Sequence, residues 1–259
     1  MLIDSHCHLK HKKYSKTPEV LVKEAEQEGV TKLIDIGTSL EDNLVAIKHA
    51  DKFENVYATI AIYPHENTDS PIEDLMAGLK KQAELSQKII AVGECGMDIS
   101  EWSGGRSADD QKVLFEEQIK LAIDLKLPLI IHNRKGDAVV LELLKKYKGS
   151  GLTGVSHCFV STWDFAQELL ELNFLISFAC SITYPSNKHL LEIVKKVPPD
   201  KFLVETDAPY LPPQNMRGTV NEPKNVVYAA RKVAEVRNIS FEKVSELSYS
   251  NTCQLFAIK

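Results

Sequence analysis

The sequence predicts an α/β fold, a (β/α)8 TIM barrel, with residues 1–259 forming one domain. Eight short apolar runs recur along the chain, separated by longer amphipathic segments, an order that favours parallel strands joined by crossover helices. Eight such units in ~250 residues is the size of a TIM barrel. The alternative, an open doubly wound sheet, is disfavoured because no glycine-rich phosphate fingerprint follows the first run. No low-complexity linker divides the chain.

The first run is Leu2-Ile3-Asp4, followed by a helical pattern at 18–28. The second, Lys32-Leu33-Ile34-Asp35-Ile36, precedes a helical pattern at 40–50. Third comes Val56-Tyr57-Ala58-Thr59-Ile60, whose β-branched and aromatic residues suit a pleated surface. Ile89-Ile90-Ala91-Val92 is the fourth, with its helix at 111–125, and Pro128-Leu129-Ile130-Ile131 the fifth, with its helix at 138–147. Gly154-Val155-Ser156, Phe174-Leu175-Ile176-Ser177 and Phe202-Leu203-Val204-Glu205 complete the set. Short continuous apolar runs of this kind suit strands buried on both faces.

With 44% hydrophobic and 26% charged residues, the composition is that of a globular protein with ample apolar material for a core. No apolar stretch approaches the ~20 residues that span a bilayer, and no basic segment precedes an apolar one at the N-terminus. Five cysteines, an odd number, fit reduced thiols. A cytoplasmic monomer without membrane contact is therefore expected. The net charge of −5 provides no general pull toward nucleic acid, so a phosphate-bearing substrate has to be held by a local site or by metal ions.

Polar residues stand at the ends of these runs. His6 and His8 follow the first, His65 the third, Glu94 the fourth, His132 the fifth, His157 the sixth and Asp207 the eighth. In a barrel those ends open onto one face, where active sites are built, so residues distant in sequence converge on one pocket. On an extended backbone His6 and His8, two apart, point to the same side. Four imidazoles and two carboxylates exceed what one zinc ion takes and suit two divalent cations. Glu94 is assigned as the bridge, His6, His8 and Asp207 to one cation, His132 and His157 to the other. Water bridging the pair is the expected nucleophile, with Asp207 accepting its proton as general base. His11, His49 and His189 read as solvent-facing, and Cys7, Cys95 and Cys158 as small packing residues beside the ligands.

The motifs that carry these residues resemble the TatD family of metal-dependent deoxyribonucleases, within the amidohydrolase-type barrels. They are Ile3-Asp4-Ser5-His6-Cys7-His8-Leu9, Gly93-Glu94-Cys95-Gly96-Met97-Asp98, Leu127-Pro128-Leu129-Ile130-Ile131-His132-Asn133-Arg134, His157-Cys158-Phe159, Glu205-Thr206-Asp207-Ala208-Pro209-Tyr210-Leu211 and Asn221-Glu222-Pro223. The resemblance implies metal ligation by His6, His8, Glu94, His132, His157 and Asp207. It also implies hydrolysis of phosphodiester bonds, typically of single-stranded DNA from the 3′ end, and a place for His65 near the scissile phosphate. Arg134, two residues past His132, is positioned to meet an anionic group. Two positions depart from the family pattern: Tyr63 stands where a further histidine is usual, and Ile99 where an aromatic is usual. Neither is a ligand, so the departures bear on substrate contacts at the pocket wall. Imidazole donors suit zinc, manganese or iron-group ions, whereas the family implies magnesium; the expected cofactor is two divalent ions, Mg, Mn or Zn.

Residues 99–109, with Trp102 and Gly104-Gly105-Arg106, are expected to form a mobile loop at the pocket mouth, Trp102 stacking on a base and Arg106 meeting a phosphate. The alternative reading is a binuclear-metal amidohydrolase acting on a small amide, lactone or ester. Many such enzymes bridge their metals through a modified lysine after the fourth strand, where this chain has Glu94, which favours the nuclease branch. A barrel acting only as a scaffold is disfavoured by the intact ligand set.

Overall fold

Continuous apolar runs pair most readily when both faces are covered, and here they build one parallel sheet. The computed structural model describes residues 1–100 and 104–259. Its strands are β1 (Leu2–Cys7), β2 (Val30–Asp35), β3 (Val56–Ile60), β4 (Ile89–Asp98), β5 (Leu129–Arg134), β6 (Gly154–Ser156), β7 (Phe174–Phe178) and β8 (Phe202–Val204), hydrogen-bonded in chain order. The sheet curls round until Cys7 of β1 bridges Ala208, just past β8, giving the (β/α)8 TIM barrel. The buried Asp4 carboxylate reinforces that seam, accepting from Thr206 N at 2.8 Å and Thr206 Oγ1 at 2.6 Å.

Helices α1 (Pro18–Gln27), α2 (Leu40–Lys52), α3 (Ile72–Ala83), α4 (Ala108–Leu125), α5 (Asp137–Lys146), α6 (Trp163–Glu171), α7 (Lys188–Lys196) and α8 (Val226–Arg237) surround the strands, and α9 (Phe241–Phe256) ends the fold. Ser39, Ser107, Thr162 and Ser240 start α2, α4, α6 and α9, each side chain accepting from a backbone N–H in the first turn. Inside the barrel Ile3, Ile34, Ile90, Ile130, Val155, Leu175 and Leu203 meet in one buried cluster, joined by Phe256 and Ile258. Fully burying a side chain of this size contributes roughly 1.5–3 kcal/mol.

Two local expectations are corrected. The loop expected at 99–109 ends at Ser107, because that hydroxyl caps α4 and puts Ala108 and Asp109 in its first turn. His49 is not solvent-facing: its side chain is 13% exposed, and Nδ1 lies 2.6 Å from Oδ2 of the buried Asp35 across the α2–β2 packing. His189 is exposed as expected.

Candidate metal centre

The C-terminal ends of the strands carry the site, and two of them break register where their ligands emerge. Pairing of β1 with β2 shifts between Asp4 and Cys7, and pairing of β4 with β5 shifts between Gly93 and Cys95. Such irregularities re-aim side chains next to active sites. They bracket His6 and Glu94, which therefore lie within their strands rather than after them, as does His132. The glycines on either side of Glu94 let β4 press against β5. A Cβ on Gly93 would lie 2.5 Å from Ile130 Cβ, and one on Gly96, at φ +145°, 2.0 Å from the His132 carbonyl oxygen. Gly96→Ala is accordingly expected to displace His132, costing about 1–3 kcal/mol in stability and weakening the second cation site. Thermal denaturation and metal titration of the variant check both effects.

Glu94 lies at the centre, 4% exposed. Its Oε1 is 2.6 Å from His132 Nδ1 and 2.9 Å from His157 Nε2. Its Oε2 faces the other way, 3.3 Å from His6 Nε2 and 3.9 Å from His8 Nε2. Asp207 Oδ1 closes that second group, 3.8 Å from His6 Nε2 and 3.7 Å from His8 Nε2. Two donor sets meet at Glu94, His6–His8–Asp207 and Glu94–His132–His157, and a third, His6–His157–Glu205, shares an imidazole with each; within every set the ligand atoms lie within 4.8 Å of one another. Asp207 is held in the left-handed region at φ +56°, its N–H donating to the His6 carbonyl at 2.9 Å. Non-glycine residues adopt that conformation rarely, and such strain concentrates at functional sites.

Electrostatics bind the groups together. Burial opposes ionisation of Glu94, but His157 and His132 outweigh it and hold the carboxyl well below the usual carboxylate range. Burial likewise opposes a charge on His8, yet Asp207 and Glu94 carry its pKa up to about 9. A cation entering the site competes with those protons. His6 tests whether a cation suits the residues present. It is fully buried, and its Nε2 points between two carboxylate oxygens without a hydrogen bond to either among the described residues. Buried polar atoms are rarely left so, and a divalent ion between imidazole and carboxylate satisfies this one.

Behind the ligands stand residues that sequence reasoning missed. Glu205 Oε1 lies 3.3 Å from His157 Nδ1 and accepts from Cys158 N at 2.7 Å, while Ser177 donates to its other oxygen. Asp98 Oδ2 lies 3.4 Å from His132 Nε2 and accepts from the Tyr63 hydroxyl at 2.8 Å. Period-two spacing held the signal for both: Glu205 is two residues before Asp207, and Asp98 four after Glu94. Carboxylates in this outer position orient metal-bound imidazoles and typically matter 10–100-fold. Glu205→Gln should therefore weaken cation affinity or turnover by about 10–100-fold while leaving the fold intact, as metal titration alongside circular dichroism would show.

A cavity of about 640 Å³ opens over the two groups, lined by His8, Glu94, His132, His157 and Asp207 together with Lys12, Tyr63, Arg134 and Tyr210. Of the expected substrate residues, Arg134 lines it. His65 does not: its Nε2–H donates to the Asp98 carbonyl at 3.1 Å, and Tyr63 occupies the wall instead. Arg106 turns away as well, donating to the carbonyls of Glu66 at 3.2 Å and Asn67 at 3.1 Å. A guanidinium engaged in this way braces the loop after β3. Trp102 lies outside the described residues. Cys7 and Cys95 are buried beside the ligands, and none of the three donor groups among the described residues includes a cysteine.

Residues 3–257 match the family described as TatD related DNase. A Bacillus subtilis (strain 168) protein named as an uncharacterized metal-dependent hydrolase, YabD, is 34% identical over 258 residues, covering 100% of both chains. The crystal structure of YjjV, a TatD homologue from Escherichia coli K12, superposes with a TM-score of 0.92 at 27% identity, covering 100% of this chain and 98% of that one. A guanine deaminase from C. acetobutylicum shares the fold alone, with a TM-score of 0.62 at 13% identity, over 98% of this chain and 72% of that one.

Proposed function

The chain belongs to the TatD related DNase family and is a metal-dependent hydrolase, and from that premise we propose that it cleaves the phosphodiester bonds of single-stranded DNA, working inward from the 3′ end. The observation that carries this reading is the division of Glu94, one carboxylate oxygen toward His6 and His8, the other toward His132 and His157. That division suits two divalent cations (Mg, Mn or Zn): His6, His8 and Asp207 would hold one, His132 and His157 the other, and Glu94 would offer an oxygen to each. When bound, such a pair polarises phosphoryl oxygens and brings the pKa of water to about 7.

The chain's own groups supply the rest. Asp207, the carboxylate of the His6–His8 group, accepts the proton of the attacking water. Arg134, exposed at the lip of the cavity, neutralises phosphate charge as the strand enters. Glu205 and Asp98 keep the imidazoles of His157 and His132 in register. The Tyr63 hydroxyl, 3.3 Å from His132 Nε2, shapes the wall where the 3′-terminal nucleotide would lie. His65, braced on the Asp98 carbonyl, supports that wall from behind.

Digestion of end-labelled single-stranded DNA by metal-stripped protein, with Mg, Mn and Zn added back separately, tests the reading. Stepwise shortening from the 3′ end with at least one ion is expected. No cleavage with any ion, together with turnover of a small lactone or amide, would transfer the site to the amidohydrolase branch.

A further inference from the structure

We propose that the connection between β1 and α1, residues 8–17, is a docking track for single-stranded DNA, with Lys12 and Lys13 holding backbone phosphates beside the one being cleaved. The inference rests on the phosphodiesterase reading and extends it from a single phosphate to a strand. This connection contains Lys10, Lys12, Lys13 and Lys16, four cations within seven residues of a chain whose net charge is −5. Two of them are neutralised in place. Lys10 pairs with Asp42, and Lys16 with Glu24 at 2.8 Å and Glu222 at 2.6 Å.

Lys12 and Lys13 have no carboxylate within ion-pair distance among the described residues, and each is placed for use. Lys12 lines the cavity over the two donor groups. Lys13 Nζ sits 4.2 Å from the centre of the Tyr210 ring, which positions an ammonium without cancelling its charge. The ring is itself fixed. Lys13 N donates to His11 Nδ1 at 3.1 Å, which leaves the proton on His11 Nε2, 3.0 Å from the Tyr210 hydroxyl. Tyr210 also packs edge-on against His8, with ring centres 6.0 Å apart, so the track is continuous with the metal centre. Arg134 stands on the lip formed by β5. Uncompensated cations on two sides of a cavity complement a polyanion that crosses it, whereas a lone phosphate would meet one side only.

The test uses the metal-loaded protein and a Lys12→Gln/Lys13→Gln variant, both substitutions being at exposed positions. Binding of a fluorescent, hydrolysis-resistant phosphorothioate oligothymidylate of about a dozen nucleotides is followed by anisotropy across a salt series. Losing two phosphate contacts should weaken binding about tenfold at low salt and make the slope of log affinity against log salt shallower by about 1.4. An unchanged slope overturns the track. So does a variant defect confined to anionic phosphatidylserine vesicles, which would assign the lysines to a membrane surface. Turnover of bis(4-nitrophenyl) phosphate, a diester with no neighbouring phosphates, is measured separately on the wild-type protein; its absence counts against the phosphodiesterase reading and leaves the binding result standing.

Discussion

On the proposed two-cation reading, replacing Glu94 by Gln is expected to remove at least one cation and to lower hydrolytic turnover by several orders of magnitude, with the fold retained. Each Glu94 oxygen has its own audience: Oε1 lies within 2.9 Å of His132 Nδ1 and His157 Nε2, and Oε2 faces His6 and His8. Glutamine keeps the shape but loses the charge, and it turns one oxygen into an amide that donates rather than accepts. Two dications at ~3.5–4 Å repel strongly, and a bridging carboxylate is what offsets that repulsion. The barrel core does not depend on this residue, because the interior cluster of Ile3, Ile34, Ile130 and Leu203 lies deeper in the strands. Metal content per chain, circular dichroism and turnover on one preparation check the prediction together. Full occupancy by both cations with near-native turnover would mean that Glu94 does not bridge.

The barrel was legible because strands buried on both faces are written as uninterrupted apolar runs, and all eight runs became strands. The third and sixth coincide with the strands β3 and β6 from end to end. β4 shows where such reading stops. Its apolar run ends at Val92, but the strand continues to Asp98 through Gly93, Glu94 and Gly96, residues that look like a loop. They stay extended because backbone pairing with β5 continues as far as Arg134. The six proposed ligands stood out because a polar residue at the end of an apolar run needs a reason. The register shifts that bring His6 and Glu94 to the centre left no such trace, since they arise from pairing with β2 and β5. His49 was misread for the same kind of reason: its partner, Asp35, lies on another element. Glu205 and Asp98 touch His157 and His132 rather than a donor group's centre, so period-two spacing from Asp207 and Glu94 was the trace they left in the chain.

For Asp207→Asn the expected signature is different from that of Glu94→Gln: turnover falls by roughly 10²–10⁴-fold, the range for a lost general base, while the fold and most of the bound metal remain. The isostere leaves His6, His8 and Glu94 in place, and the backbone at 207 stays anchored by its N–H to the His6 carbonyl at 2.9 Å and by Tyr210 N to the Asp207 carbonyl at 2.8 Å. Only the charge and the proton-accepting oxygen are lost. Asp207 Oδ1 stands 3.7–3.8 Å from the His6 and His8 nitrogens, nearer the open cavity than Glu94, which suits a carboxylate that meets water rather than one that joins two cations. Measuring kcat, KM and metal content together separates the roles. A fall in kcat with metal content near that of the wild type assigns Asp207 to proton transfer. Loss of a cation in parallel with activity would instead make it a ligand first, and the base would then have to be sought among the other carboxylates at the mouth.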